Sequence, residues 1–271
     1  MYRNLLIFTL KFKAIRVVKF LFRLVGIGIT SQDNLVKLRE MASNKSYLDF
    51  RFIQEANLKN LDYMMTLLRM SQSQLRQDIF VLSETMFRKN GYFVEVGGAD
   101  GIKLSNTYLL ETEFSWKGIL AELATVWDKL KENRPNASIE TLCVWKDSNS
   151  KIVFNETKIP ELSTINLFSS KDSHKYSRHK GKLYEVQTIS LSDLLIKHKA
   201  PKYIEYLSID VEGSEYEILN AFDFNQCDVR IITVEHNYSA QREKIFTLLT
   251  SKGYKRKYEN LSYWDDWYVK A

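Results

Sequence analysis

Short apolar segments alternate with amphipathic ones from residue 92 to the end of the chain, and this alternation leaves few folds open. Strand-like and helix-like segments that take turns favour an α/β fold, a mostly parallel sheet with helices on both faces. The last two strand candidates have no helix between them, so they predict an antiparallel hairpin at the sheet edge. In chain order, the strand candidates are YFVEV, KGILAE, SIETLCVW, KIVFNE, YIEYLSI, VRIITVE, YKRKYE and YWDDWYVK.

A polar stretch, residues 146–185, interrupts this pattern and predicts an irregular excursion with one strand at KIVFNE. Its segment STINLFSSKDSHKYSRHKGK is rich in hydroxyl, basic and aromatic side chains, which suit a sugar or an anionic carrier. We expect the excursion to lie over the functional site, although a plain surface excursion fits equally well. The helix that follows, SLSDLLIKH, is expected to be capped by Ser190 or Ser192.

The chain divides into three predicted parts: a basic amphipathic segment at 1–30, a helical N-terminal extension at 31–85, and a sheet domain at 86–271. The net charge of +6 comes from the first part, because residues 1–32 contain six bases and no acid. The remainder holds equal numbers of bases and acids, and this neutrality argues against a nucleic-acid partner. The two cysteines form no disulfide framework and favour a reducing compartment.

The basic first segment predicts contact with a membrane surface. Arg16, Lys19 and Arg23 fall at helical spacing on one side, as in a helix that lies in an anionic membrane interface. Charges interrupt the segment too often for a comfortable span of about 20 residues. An ordinary helix packed on the domain and a true span remain the alternatives. We therefore expect a cytoplasmic protein that is peripheral on the membrane.

Ligands of open parallel sheets bind beyond the carboxyl ends of the strands, so the residues at those ends are the candidates. In GYFVEVGGADG, Glu95 ends the first strand, and the turn Gly97–Gly101 lets a ligand approach the backbone closely. A turn that merely joins strand to helix is an equal alternative. Glu122 ends the second strand, where an acid can accept hydrogen bonds from both ribose hydroxyls; a solvent-facing glutamate is the alternative.

The segment DVEGSE follows the strand YIEYLSI and places Asp210 and Glu212 at the sheet edge. Buried carboxylates there need a cation, a metal or substrate hydroxyls as partners. Helix capping accounts for Ser214 and Glu215 but not for the two preceding acids.

The next strand ends in Glu235-His236-Asn237, and an imidazole there suits either a proton acceptor or a metal ligand.

Together, FVEVGGADG, SNTYLLE, GILAE, YLSIDVEGSE and TVEHN resemble the FkbM-type S-adenosyl-L-methionine-dependent methyltransferases. The resemblance runs over about residues 70–270, and LSIDVEGSEYEIL is its most specific part. It implies a class I methyltransferase (Rossmann-like) fold: a seven-stranded, mostly parallel sheet with an antiparallel C-terminal hairpin, here preceded by N-terminal helices. It also implies O-methylation, often of a sugar in a glycan or glycoconjugate.

The resemblance assigns roles to residues as well. Ala99 stands where the commoner pattern has a glycine. A base is needed to take the hydroxyl proton, and Asp210 or His236 is the candidate. By analogy with the catechol O-methyltransferase fold, Asp210, Glu235 and His236 are expected to hold a divalent metal, Mg or Mn. The implied cofactor-binding residues are Glu95, Gly97, Ala99, Asp100, Gly101, Glu122 and Asp210.

Two other classes of protein deserve weight. A membrane-associated, non-catalytic binding or scaffold protein could use a degenerate methyltransferase fold, but the presence of the acids at the strand ends argues against it. The spacing of Tyr176 and Lys180 is that of short-chain dehydrogenases, yet the interval from Gly97 is too short for that fold.

Overall fold

The computed structural model describes residues 45–55, 61–123, 127–170 and 174–271. The predicted basic segment 1–30 and the start of the predicted helical extension, residues 31–44, lie outside the described residues. Among the described residues, no helix is long and apolar enough to cross a membrane. Both cysteines, Cys143 and Cys227, are buried free thiols.

Among the described residues, three helices precede the first strand: α1 (Lys45–Glu55), α2 (Leu61–Met70) and α3 (Gln77–Glu84). In α2 the buried residues Met64, Leu67 and Leu68 recur at the three- and four-residue steps of one helix face. They join a core that also includes Phe93 of the first strand. These helices therefore cover one face of the sheet that follows.

Seven strands form the main sheet, in the order β10-β11-β9-β8-β1-β2-β3. The pairs from β3 across to β9 are parallel, whereas β11 runs antiparallel to both β9 and β10. This order and the antiparallel end confirm the predicted class I methyltransferase fold. The strands are β1 (Tyr92–Val96), β2 (Lys117–Ala121), β3 (Ser138–Glu140), β8 (Tyr203–Ile209), β9 (Asp228–Glu235), β10 (Tyr254–Lys257) and β11 (Asp265–Lys270).

Both faces of this sheet are buried, which is why its strands read as continuous apolar runs. Val94 and Val96 enter one core layer and Phe93 enters the other. The connecting helices are α4 (Tyr108–Phe114), α5 (Trp127–Asn133), α6 (Lys175–Arg178), α7 (Leu191–Lys197), α8 (Glu215–Ala221), α9 (Gln241–Ser251) and α10 (Glu259–Ser262).

A second sheet of four strands extends through the region predicted to be mainly irregular, residues 146–185, and beyond it at both ends. Its order is β4-β7-β5-β6, with β4 (Cys143–Trp145), β5 (Lys151–Glu156), β6 (Thr164–Ile165) and β7 (Lys182–Ser190). Strand β5 was predicted, and β7 was missed. Ser190 does cap α7, since its hydroxyl accepts the backbone N–H of Asp193 at 3.1 Å.

The prediction of a single strand over residues 138–145 is wrong. The segment contributes β3 to the main sheet and β4 to the second sheet. The Glu140 carboxylate accepts the backbone N–H groups of Thr141 and Leu142 at 2.8 and 3.0 Å, which turns the chain out of the main sheet. Lys197 and His198, at the end of α7, hold the same carboxylate at 2.7 and 3.1 Å. The break between β3 and β4 therefore depends on a distant helix.

Candidate active site

The turn after β1 is shaped by a missing side chain. Gly97 has a φ of 91°, and a Cβ placed on it would lie 1.7 Å from the carbonyl oxygen of Asp210. Its N–H donates to the Ala121 carbonyl at 2.9 Å. Only glycine allows the ends of β1, β2 and β8 to meet this closely. The sequence predicts that glycine here lets a ligand approach the backbone closely. In the structure, the backbone that approaches Gly97 is that of Asp210, at the end of the neighbouring strand β8.

Glu122 faces this turn from the end of β2. The Ala99 N–H donates to Glu122 Oε2 at 2.7 Å, and Ala99 takes the left-handed conformation with a φ of 45°. Burial raises the pKa of Glu122 to about 8, with smaller contributions from the charges of Asp210 and Glu95. The Glu122 carboxylate therefore lies against the glycine turn at the edge of the sheet. This is the position at which the sequence predicts an acid that binds the ribose.

Asp100 and Gly101 complete the turn through contacts within the protein. Asp100 Oδ1 accepts the N–H groups of Ile102 and Lys103 at 3.0 and 2.8 Å, and these bonds hold the pKa of Asp100 below its ordinary value although burial opposes them. Its Oδ2 pairs with Lys129 at 3.0 Å. The carboxylate is thus engaged in shaping the turn.

Glu95 points into the loop that precedes α4. Its buried carboxylate accepts the hydroxyls of Ser105 and Thr107 and the backbone N–H of Asn106, the last at 2.7 Å. Burial raises the pKa of Glu95, and Arg134 opposes that rise. The sequence predicts Glu95 near the methionine end of a cofactor. The described contacts give it the role of shaping the loop at residues 105–107.

Three carboxylates converge beyond β8 and β9. One oxygen from each of Asp210, Glu212 and Glu235 lies within 4.8 Å of the others. Ile209 pairs with Val234 in the sheet, so Asp210 and Glu235 emerge side by side. Glu212 reaches them through a left-handed turn with a φ of 62°, followed by Gly213 with a φ of 121°. We call these three residues the carboxylate trio.

The trio is strongly desolvated. Burial raises the pKa of both Asp210 and Glu235, and neighbouring carboxylates add to the rise at Glu235. Glu235 Oε2 is buried and has no hydrogen-bond partner among the described residues. Asp265 lies opposite Glu235 in the β9–β11 pair and accepts the side-chain amide of Gln77 at 2.7 Å. A proton or a cation is needed to neutralise this group.

One basic side chain enters the trio from the second sheet's insertion. Arg178, in α6, is fully buried and pairs its Nη2 with Glu212 Oε2 at 2.7 Å. Its Nε donates to the Leu162 carbonyl at 2.7 Å. The Thr164 hydroxyl donates to the Glu212 carbonyl at 2.9 Å. The polar excursion predicted to lie over the site is therefore fastened to the Glu212 turn.

Glu215, the first residue of α8, stabilises the turn at residues 211–213. Its Oε1 accepts the N–H groups of Val211 and Gly213 at 3.1 and 2.9 Å. Burial raises the pKa of Glu215 to about 7. The sequence suggests helix capping by Ser214 with Glu215 in the first turn, but Ser214 makes no side-chain cap bond, and Glu215 holds the preceding turn.

His236 is turned away from the trio. Its Nδ1 accepts the Tyr238 N–H at 2.9 Å, so the proton of the neutral ring lies on Nε2. Nε2 lies 3.7 Å from Asp266 Oδ1, and the ring is buried. A base needs a free lone pair, and neither nitrogen offers one to a substrate here. The geometry argues against His236 as the base. Glu212, and not His236, lies with Asp210 and Glu235 in the carboxylate trio.

Comparison with known proteins decides the family. The model of the Methyltransferase FkbM domain matches residues 95–256, more than half of the chain. The chain belongs to the FkbM methyltransferase family. The match covers the glycine turn, Glu122 and the whole carboxylate trio, and no curated protein matches the chain.

Solved structures similar to this FkbM protein are distant. Precorrin-6y C5,15-methyltransferase from Geobacter metallireducens GS-15 is 10% identical, with a TM-score of 0.38, over 69% of this chain and 75% of that one. The METTL16 methyltransferase domain is 12% identical, with a TM-score of 0.41, over 71% and 64%. Magnesium protoporphyrin IX methyltransferase (ChlM) from Synechocystis PCC 6803 with bound SAH is 9% identical, with a TM-score of 0.37, over 87% and 99%. Likeness this remote assigns neither substrates nor residue roles.

The family assignment makes this FkbM protein an S-adenosyl-L-methionine-dependent methyltransferase. A groove of about 460 Å³ lies beside Leu123, the residue that follows Glu122, and is lined by residues at the break between β3 and β4 and by residues of β5 and β7 in the second sheet. Leu123 and Trp127 form its floor on one side, and Leu142 lies at the break between β3 and β4. Tyr184 and Val186 of β7 close it on the other side. The second sheet, which the sequence did not reveal, thus provides one wall of a groove at the edge where Glu122 stands.

Proposed function

We propose that this protein transfers the methyl group of S-adenosyl-L-methionine to a hydroxyl of a sugar in a glycan or glycoconjugate. The observation that carries the proposal is the contact between Gly97 and Asp210. It brings the turn suited to a nucleoside cofactor against the carboxylate trio, which is suited to a hydroxyl acceptor. Both lie at the carboxyl edge of one sheet, where such folds bind ligands.

The cofactor side would use Glu122 and the groove. Glu122, once ionised, can accept both ribose hydroxyls, and Leu123, Trp127 and Leu142 offer apolar surface for an adenine. The backbone of the turn Gly97–Gly101 can approach the amino-acid end closely, because Gly97 has no side chain. When bound, S-adenosyl-L-methionine supplies a methyl group on a positively charged sulfur.

The acceptor side needs a base, because an alkyl hydroxyl is a weak acid. Asp210 is partly exposed and emerges next to the cofactor turn, with the buried Glu235 beside it. Burial raises the pKa of both carboxyls. Because Asp210 is the more exposed of the two, we assign it as the base: as the hydroxyl oxygen bonds to the methyl carbon, the bond from that carbon to sulfur breaks, and the hydroxyl proton passes to the Asp210 carboxylate.

A divalent metal, Mg or Mn, would fit the same three carboxylates. Carboxylate oxygens are the ligands that these cations prefer, and Glu235 Oε2 is a buried oxygen without a described partner. Asp210, Glu212 and Glu235 would hold the ion, and it would lower the pKa of the acceptor hydroxyl. Titration of Mn²⁺ into the protein with S-adenosylhomocysteine present tests this. Micromolar binding that Glu235→Gln abolishes supports the metal, whereas full turnover in EDTA excludes it.

The acceptor is proposed from the insertion between β5 and β7. It carries hydroxyl, basic and aromatic side chains, and Arg178 fastens it to the trio. Such a surface suits a sugar, whose hydroxyls hydrogen-bond and whose ring faces lie on aromatic groups.

We further propose that residues 1–30 bind an anionic membrane surface and that the protein is cytoplasmic. The six bases without an acid in residues 1–32 support this. Flotation of the full chain with vesicles of phosphatidylglycerol and phosphatidylcholine tests it. Binding that disappears with phosphatidylcholine alone, and with a variant in which Arg16, Lys19 and Arg23 are glutamate, is expected. Equal flotation of that variant would overturn it.

The first experiment on the function is calorimetric titration with S-adenosylhomocysteine. We expect micromolar affinity, lost in Glu122→Ala, followed by methyl transfer to members of a panel of free and lipid-linked sugars. A folded protein that binds neither S-adenosylhomocysteine nor S-adenosyl-L-methionine would overturn the proposal. The non-catalytic scaffold interpretation would then replace it.

A further inference from the structure

Arg134 is a buried arginine that the reaction proposed above does not use. It follows α5 directly, and only 1% of it is exposed. Taking a guanidinium out of water is costly unless its donors are satisfied, so its partners must account for its position. These partners all lie at the cofactor edge of the main sheet.

The guanidinium joins four segments. Nε and Nη2 contact Glu111 of α4 at 2.7 and 2.6 Å. Nη1 donates to the Gly101 carbonyl at 3.0 Å and to the Ser105 hydroxyl at 3.2 Å. Nη2 also donates to the Thr107 hydroxyl at 3.0 Å. One side chain therefore fixes α5, α4, the glycine turn and the loop at residues 105–107.

Two of these partners lead directly to Glu95. The hydroxyls of Ser105 and Thr107 accept from Arg134 and donate to the Glu95 carboxylate. Arg134 thereby sets the direction of both hydroxyl protons, since an oxygen that accepts from a guanidinium turns its own hydrogen elsewhere. Arg134 is also the charge that opposes the burial-driven rise in the pKa of Glu95. The arginine, two hydroxyls and one carboxylate form a single hydrogen-bonded unit.

The stem of Arg134 also explains the last glycine of the turn. A Cβ on Gly101 would lie 2.7 Å from Arg134 Cγ and 2.6 Å from Leu130 Cδ1. Gly101 has a φ of 81° and contacts the arginine with both its carbonyl and its α-carbon. The turn Gly97–Gly101 therefore packs directly against the Arg134 side chain, which leaves no room for a side chain at Gly101.

We infer that Arg134 is a positioning residue for the cofactor, which holds the turn Gly97–Gly101 and the Glu95 carboxylate in their binding geometry without touching the ligand itself. This inference rests on the S-adenosyl-L-methionine dependence of the family and not on the identity of the acceptor. A purely structural arginine would contribute to stability alone. A positioning arginine must also contribute to affinity.

The chain offers a matched control in Arg76. Arg76 is also a buried arginine, with a bidentate pair to Asp49 at 2.6 and 3.0 Å and a bond to the Ser71 carbonyl at 3.2 Å. Its partners lie in the N-terminal helical part and include no residue of the cofactor turn. Arg76→Lys and Arg134→Lys therefore make the same chemical change at two buried sites.

The test is the dissociation constant for S-adenosylhomocysteine, measured by calorimetry on both variants and on the unmodified full chain, together with each melting temperature. We expect both variants to melt earlier. We expect only Arg134→Lys to weaken binding, by tenfold or more, while Arg76→Lys stays within twofold. Arg134→Gln, which loses the charge as well, should bind more weakly still.

A double-mutant cycle distinguishes an effect of Arg134 that passes through the Thr107 hydroxyl from a general loss of rigidity. If Arg134 acts through the Thr107 hydroxyl, Thr107→Val should weaken binding less in the Arg134→Lys background than in the unmodified chain, by about fivefold. Arg134→Lys with unchanged affinity and a lowered melting temperature would overturn the inference. Failure of the unmodified chain to bind would instead overturn the proposed function.

Discussion

The backbone N–H of Ala99 donates to the Glu122 carboxylate at 2.7 Å, which ties the glycine turn after β1 to the acid at the end of β2. The bond couples the two parts of the site proposed to bind the nucleoside. Because burial raises the pKa of Glu122, the protonation state of its carboxyl in the free protein affects the affinity for a ligand.

Affinity for a nucleoside ligand should therefore rise with pH. The pKa of Glu122 is raised from an ordinary 4.5 to about 8, so much of the carboxyl is protonated at neutral pH. The ionised form accepts both ribose hydroxyls, so the dissociation constant should rise about tenfold from pH 9 to pH 7. 5′-Methylthioadenosine is the suitable ligand, because it lacks an amino-acid part that titrates. A pH profile in Glu122→Gln as steep as in the unmodified chain would contradict this assignment; Glu113→Gln, an exposed change, is the control.

The same shift has a consequence for stability without ligand. An acid whose pKa is higher in the folded than in the unfolded state favours folding when protonated. This contribution is present below about pH 4.5 and is lost as the pH rises through about 8.

Gly97→Ala should be far more damaging than an alanine at another glycine of like conformation. The new Cβ would lie 1.7 Å from the Asp210 carbonyl oxygen, so the ends of β1 and β8 must move apart. We expect a loss of about 3 kcal/mol or more in the free energy of unfolding. Gly253→Ala is the control: its φ is 88°, close to the 91° of Gly97, but a Cβ there meets nothing within 4 Å.

The control substitution should cost only the backbone strain, about 1 kcal/mol. Urea titrations of the two variants make the comparison. Equal losses would mean that φ alone explains Gly97 and that the strand contact is unimportant.

Asp210→Asn should abolish methyl transfer and leave the dissociation constant for S-adenosylhomocysteine within about threefold. The amide keeps the shape of the side chain but cannot accept the hydroxyl proton, so turnover should fall by about 10² to 10⁴. Single-turnover rates with saturating cofactor measure the chemical step. A parallel loss of affinity would mark Asp210 as a cofactor ligand or a structural residue.

Arg178→Met should destabilise the fold by about 3–5 kcal/mol, because it removes the buried guanidinium that pairs with the buried Glu212 carboxylate. The matched control is Lys151→Met, which breaks an ion pair with Glu185 whose side chains are 73% and 67% exposed. The control should change the free energy of unfolding by less than about 1 kcal/mol. If the two variants unfold at the same urea concentration, the Arg178–Glu212 pair contributes no more than a surface pair.

The sheet and its strand ends were predictable because they depend on local pattern. Apolar runs located β1, β2, β8 and β9, glycine turns follow β1 and β8, and the acids at the strand ends were visible as interruptions of those runs. That three of these acids converge follows from parallel pairing, which the alternation with helices already implies.

The features that the sequence did not predict depend on contacts with residues far along the chain. His236 was a reasonable base until its ring was found bonded to the Tyr238 N–H and turned toward Asp266. Nothing in the local sequence marks Arg134 and Arg178 as buried, since burial of an arginine is set by partners far along the chain. Strand β7 was missed because charged and polar residues interrupt KLYEVQTIS, of which only one face is covered.

The two ends of the insertion between β5 and β7 lie side by side, since Glu156 pairs with Lys182 across the two strands. Within the insertion, β6 adds to the edge of the same sheet by pairing with β5, so a different segment at residues 157–181 would leave the β5–β7 pairing in place. Such a cassette can diversify independently of the cofactor half, so long as it keeps a cation for Glu212. Relatives could in this way acquire new acceptors while retaining one methyl donor.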